Sequence, residues 1–181
     1  MPTWASVTML VLVLALAGWG MWYGWRERTR RSAVAVPAPP AVPDDLGALL
    51  LGPLDGTYVS TTRSGDWLDR VSAHDLGVRS AAQVEVHTGG VLLRRQGARD
   101  VLVPGDRLRA VGTAPGMAGK FVGGEGLVVL TWSAGDDASG DLGAQSAAVL
   151  LDTGVRLRRK ADRVRLLESV RTLLADQEGA A

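Results

Sequence analysis

Gly126-Leu127-Val128-Val129-Leu130-Thr131-Trp132 is the stretch on which the fold class turns. Its β-branched and aromatic residues suit a pleated, packed surface, and it is the strongest strand signal in the chain. Upstream, further short strands alternate with turns. Thr57 to Thr62 is rich in β-branched residues and ends at Arg63-Ser64-Gly65; Trp67-Leu68 and Leu76 to Ser80 follow. In Gln83-Val84-Glu85-Val86-His87 the alternation puts Val84 and Val86 on one face. Gly89-Gly90 turns the chain into Val91 to Arg95. Val101 to Val103 stops at Pro104, and Leu108 and Val111 mark a further short element. Downstream, Ala148 to Leu151 and Val155 to Leu157 close the series. This spacing predicts a mainly β domain, a sandwich or open barrel of about seven strands.

The last segment changes period. Asp162 to Leu174 carries apolar residues at Val164, Leu167, Val170 and Leu174, with Leu166 and Leu173 widening the stripe. That is helical spacing with one buried face, so a C-terminal helix should cap the β domain with Leu167 at mid-stripe. Asp162 is the expected N-cap, and Arg171 stands near the C-terminal end, where cations are favoured.

The other end of the chain reads differently again. From Trp4 to Trp25 no residue is charged. That length matches the roughly 20 residues a helix needs to cross about 30 Å of hydrocarbon. Trp4 sits at one end, with Trp19, Trp22 and Trp25 at the other, like the aromatic belts of a membrane span. Residues 26–31 are a basic juxtamembrane segment carrying Arg26, Arg28, Arg30 and Arg31. A cleaved signal peptide would need a basic start, a shorter apolar core and a small-residue site just behind it. No Lys or Arg precedes this core, and Ala33-Val34-Ala35 lies beyond the arginines. The expected arrangement is an uncleaved single-pass anchor in the plasma membrane. Arginines stay on the cytoplasmic side, so the N-terminus is expected outside and the domain inside. The same cluster offers contacts to anionic lipid, although a topology signal alone explains it.

Residues 32–55 read as a linker. Ser32 to Pro43 alternates Pro and Ala without an apolar period, the composition of a semi-extended spacer. Asp44-Asp45 suggests a short helical start over Leu46 to Leu54, stopped by Gly52-Pro53. The folded domain is then expected over residues 56–176.

Composition narrows the function. The 181-residue chain carries a net charge of +1, so no global field draws it to nucleic acid. There is no Cys, which excludes disulfides and thiolate metal sites, and His74 and His87 lack ligand-type neighbours at ligand spacing. No metal or cofactor is expected. Gly116-Met117-Ala118-Gly119-Lys120 approaches a phosphate loop, but Ala114 stands where the first Gly belongs and Phe121 replaces the Ser or Thr. Asp152-Thr153-Gly154 matches an aspartyl protease triplet, yet too little chain follows for flap and supporting strands; a turn joining two strands explains the same letters. Asp136, Asp137 and Asp141 fail the spacing of a Ca²⁺ loop. Asp66, Asp69, His74 and Asp75 place acids near a His without a nucleophile in context. Trp67 and Trp132 read as core aromatics. The best contact candidates are Met117, Lys120 and Phe121, presented on a Gly-hinged loop from Gly116 to Gly124. The competing reading makes Phe121 a plug at the end of the sandwich.

The segments GTYVSTTRSGDWLDRVSAHDLGVRS, PGMAGKFVGGEGLVVLTW and LLDTGVRLRR resemble a family of actinobacterial single-pass membrane proteins. That family has a bacterial pleckstrin-homology (PH)-like domain and is often encoded among pyrimidine-biosynthesis genes. The resemblance spans Gly56 to Leu174 and implies a PH-like sandwich at a membrane; it supplies no biochemical activity. PH-like domains that bind phosphoinositides use several basic residues around the first loop, where this chain offers only Arg63. The expected function is a membrane-tethered interaction module, with a protein partner or self-association and no catalysis. A subunit of a transport or export assembly and an enzyme of unrecognised type are the alternatives.

Overall fold

The computed structural model describes residues 3–121, 126–135 and 149–179. Among these residues, helix α1 (Thr3–Ala35) precedes nine strands and a C-terminal helix, α2 (Lys160–Glu178). The strands are β1 (Leu49–Arg63), β2 (Ser80–His87), β3 (Gly90–Arg95), β4 (Val101–Pro104), β5 (Leu108–Ala114), β6 (Gly116–Met117), β7 (Lys120–Phe121), β8 (Leu127–Ala134) and β9 (Val149–Leu157). Seven of them form one antiparallel sheet in the order β4-β3-β2-β1-β9-β8-β5; β6 and β7 make a separate hairpin. β1 is the hinge of this topology. Its first part pairs with β2, from Leu49 opposite His87 to Tyr58 opposite Ser80. Its second part pairs with β9, from Gly56 opposite Leu157 to Arg63 opposite Leu151.

The sheet bends around one apolar core. Val84 and Val86 of β2, Val91 and Leu93 of β3, Leu130 and Trp132 of β8 and Leu151 and Val155 of β9 all belong to it. Period-two alternation sends these side chains inward. The β2–β3 turn depends on Gly90, at φ 146°, where a Cβ would collide with the Val103 carbonyl.

α2 closes the core, but in a different rotation from the one its sequence suggests. Leu166, Val170 and Leu173 are buried, Leu167 and Leu174 flank them, and Val164 is 52% exposed. The helix starts at Lys160 with Arg159 as N-cap and no side-chain cap. Asp162 is therefore inside the first turn, where it pairs with Arg165 (3.5 Å). An apolar stripe defines a face, whereas the centre of that face is set by how the helix docks.

The region expected to be a linker is built into the domain. α1 runs on through residues 26–35. Val36 is 1% exposed and belongs to the core, and its carbonyl accepts a bond from His74 Nε2 (3.1 Å). Farther on, Gly89 N donates to Leu46 O (2.9 Å) and Thr88 N to Ala48 O (3.0 Å). No helix forms over Leu46 to Leu54. Asp45 instead caps a turn by accepting from Gly47 N (2.7 Å), and β1 begins at Leu49. The strand absorbs Gly52-Pro53 by slipping its register against β2 between Leu51 and Leu54. The expected boundary at Gly56 thus falls inside β1.

Leu166 and Val164 separate the two phases of α2. Leu166→Ala should cost roughly 2–5 kcal/mol in a denaturant titration. Val164→Ala should stay within about 0.5 kcal/mol, as exposed substitutions do.

Candidate functional site

α1 presents an apolar surface along its length. Val7 to Gly24 is an 18-residue window of mean hydropathy 1.7 with none of it buried, long and apolar enough to cross a membrane. Trp4, Trp19 and Trp22 are exposed on it. The side chains of Trp25, Arg26, Arg28, Arg30 and Arg31 lie outside the described residues, as do those of Lys120 and Phe121, residues 122–125 and the polar stretch 136–148.

The proposed contact loop is partly corrected. Met117 is 3% exposed and packs with Val59 and Leu127 on the outer face of the sheet. The β6–β7 hairpin folds back over that face. Gly154 makes room for it, since a Cβ there would lie 2.7 Å from Met117 Sδ. The hairpin is tied down at Ala118, whose N–H donates to Trp67 O (2.7 Å). Met117 is thus a packing residue, not an exposed contact. Trp67 is the reverse: it is 56% exposed beside the equally exposed Leu68, where a core aromatic was expected.

The other constellations are structural. Asp66 accepts from Leu68 N (2.9 Å), and Asp69 pairs with Arg63 (3.3 Å), so the single Arg of the first loop already has a carboxylate. Asp152, Thr153 and Gly154 lie inside β9 rather than at a turn, and Asp152 accepts from Thr131 Oγ1 (2.7 Å). Burial alone would raise the Glu85 carboxyl, but hydrogen bonds from His87 and Arg94 outweigh it and hold the group below its usual range. Among the described residues, no three His, Asp or Glu converge for a metal.

Thr153 belongs to a buried relay. Trp132 Nε1 donates to Thr153 Oγ1 (2.9 Å), Thr153 meets Thr61 Oγ1 (2.8 Å), Thr61 meets the Tyr58 hydroxyl (2.7 Å), and Tyr58 donates to Leu76 O (2.8 Å). Arg95 lies over the Tyr58 ring, 4.0 Å from its centroid. Its guanidinium donates to Ser80 Oγ and to the carbonyls of Asp75, Val78 and Arg99. Burial pushes the Tyr58 hydroxyl up to about 12, against the opposing pull of Thr61 and Arg95.

Sequence reasoning passed over one surface feature. Where β9 runs into α2, three adjoining grooves share Arg158. The largest, about 540 Å³, lies between β1, β2 and β9 and includes Arg79, Gln83, Gln96 and Arg156. The smallest, about 270 Å³, adds Arg159, Lys160 and Arg163. The third reaches Arg165 and Asp162, and Asp55 lines two of the three. Seven cations therefore face two carboxylates, Asp55 and Asp162, an excess of five positive charges on a chain whose net charge is +1.

A bent seven-stranded antiparallel sheet closed by a C-terminal helix, carrying charged surface grooves, is the form of a PH-like binding domain. The family model for the bacterial PH domain-like group matches residues 36–171, and the chain belongs to that family. The match begins at Val36, the first core residue after α1, and so includes the segment read from sequence as a linker. Comparison with curated proteins finds no match.

Two measurements check this assignment of roles. Met117→Ala should destabilise the protein by roughly 2–5 kcal/mol, whereas an exposed contact residue would change stability by less than about 0.5 kcal/mol. Tyr58 sets an alkaline limit. The folded state favours the neutral phenol, so its contribution is fully present below about pH 10 and is lost as pH rises through about 12. The linked loss is about 2–3 kcal/mol at 1.36 kcal/mol per pH unit. Denaturant titrations at pH 9 and 11.5 should show a steeper fall for the native protein than for Tyr58→Phe, which has no phenol to ionise.

Proposed function

We propose that this chain is a single-pass, membrane-anchored PH-like interaction module, with its domain on the cytoplasmic side and binding rather than catalysis as its task. The observation that carries the reading is continuity. The apolar window ends at Gly24, the same helix continues to Ala35, and the next residue is in the domain core. Eleven helical residues at 1.5 Å each separate membrane window and domain by about 16 Å. The domain is therefore held close to the bilayer, in place of a stand-off of tens of Å. The arginines at 26, 28, 30 and 31 support a cytoplasmic domain by the positive-inside rule. A cytoplasmic protein or a second copy of the chain is the partner this presentation suits. An actinobacterial source and a gene setting beside pyrimidine enzymes fit the reading, which depends on neither.

The full chain should remain in the membrane pellet after alkaline carbonate extraction. An alkaline phosphatase fused after Ala181, active only outside the cytoplasm, should be silent. Extraction into the supernatant would remove the anchor, and strong phosphatase activity would reverse the orientation.

A further inference from the structure

The β9–α2 corner of the basic grooves lies at the other end of β9 from the close approach of Pro37 to Gly135, whereas Arg79, which lines the largest groove, is five residues from His74, the partner of Val36. Pro37, two residues beyond α1, sits against Gly135; a Cβ at Gly135 would lie 3.5 Å from its Cγ. Gly135 follows Ala134, which pairs with Val149, the first residue of β9. The grooves form at the opposite end of β9, where Leu157 pairs with Gly56 and leads into Arg158, Arg159 and Lys160. The nine residues of β9 include eight steps of about 3.3 Å, so about 26 Å of strand separates the two places.

The side chains at that far end suit one kind of ligand. Arg156, Arg158, Arg159 and Arg79 are exposed, and their guanidiniums offer planar, paired donors that match the oxygens of a phosphate. Gln83 and Gln96 add neutral polar groups in the largest groove. Several guanidiniums come from one short stretch and another, Arg79, comes from just before β2, so they surround a volume rather than line a stripe. About 540 Å³ is within the range of small-molecule sites. The nearby carboxylates are engaged within the grooves: Asp162 with Arg165, and Asp55 with Gln83 Nε2 (3.2 Å).

We infer that the β9–α2 corner binds a compact, multiply charged phosphate-bearing anion taken from solution, and that the headgroups of the anchoring bilayer are not its source. The site takes Arg79 from the last position of the β1–β2 connection but not Arg63 at its start, which is paired with Asp69. The inference rests on the anchored-module reading for its location and names a ligand class for it.

The test uses the full chain in nanodiscs of neutral phosphatidylcholine, with pyrophosphate as the probe in isothermal titration calorimetry. Incorporation into nanodiscs reports on the anchor, and the titration reports on the corner, so the two readings fail separately. Pyrophosphate should bind, and Arg156→Gln combined with Arg158→Gln should weaken binding at least tenfold while the melting temperature holds within a few degrees. Arg94→Gln, on β3 and paired with Glu85, should leave binding unchanged. The affinity should survive in nanodiscs containing 30% phosphatidylglycerol at the same ionic strength. No pyrophosphate binding, or binding indifferent to Arg156 and Arg158, overturns the site. A tenfold loss on adding phosphatidylglycerol overturns the solution source, because headgroups would then occupy the corner. Binding of an acidic peptide without pyrophosphate binding overturns the ligand class. If the double variant melts much lower, Arg79→Gln alone, just before β2, must weaken binding, or the proposal falls.

Discussion

The hydrogen-bond relay from Trp132 to Leu76 holds the two halves of the sheet to one another. It has only one possible direction. An indole N–H can only donate and a carbonyl can only accept, so each hydroxyl between them must receive one proton and pass its own onward. Trp132 is on β8, Thr153 on β9, Thr61 and Tyr58 on β1, and Leu76 in the connection to β2. The relay therefore crosses the strands at which β1 changes partners. A phenolate at Tyr58 could not donate to Leu76, so the chain needs the neutral phenol that burial favours. Leaving one buried hydroxyl unpartnered would cost about 1–3 kcal/mol. Ser60 and Thr62, on either side of Thr61, reach no partner among the described residues. What matters is thus the inward position of Thr61, not hydroxyl content.

Arg95 extends the same constraint to the loops. A buried guanidinium is tolerated only when its donors are satisfied, and here three carbonyls, a serine hydroxyl and an aromatic face do so. The carbonyls belong to Asp75, Val78 and Arg99, so the segment after β1 and the turn after β3 are drawn to one side chain. His74, next in the chain to Asp75, holds Val36. Core, loops and the exit of α1 are thereby linked, which is why α1 meets a fixed surface instead of a free tether.

Much of the fold was legible in the sequence, because its signals were local. The apolar N-terminal helix, the alternation of Val84 and Val86, the Gly89-Gly90 turn, the burial of Trp132 and the terminal helix all follow from period and turn chemistry. What escaped depended on neighbours distant in sequence. The Pro- and Ala-rich stretch after Ser32 looks like the start of a long spacer until His74 and the β2–β3 turn supply partners for Val36, Leu46 and Ala48. Gly52-Pro53 looks like a stop until β1 is seen to bulge around it. Asp152-Thr153-Gly154 looks like a turn because Gly breaks a strand pattern, whereas that glycine accommodates Met117. The basic corner was half legible. Its run from Arg156 to Arg165 stands in plain sight, but a charge run usually marks a solvated face. Only the approach of Arg79, Gln83 and Gln96 from β2 and its flank turns it into a groove.

The charge balance bears on how such a groove can select. A net charge of +1 gives the chain little long-range pull on anions. At physiological ionic strength the field of the corner fades over about 8 Å, so it acts on what has already arrived. A single charge gains little from that arrangement, because each exposed guanidinium keeps most of its water and is worth under about 1 kcal/mol in an isolated pair. A ligand with several charges in a small volume engages several guanidiniums at once, and only the first contact bears the full entropic cost of association. The same reasoning disfavours a diffuse acidic surface, whose charges are spaced too widely to share one groove. An overall neutral chain with a concentrated cationic corner thus discriminates by charge density at contact.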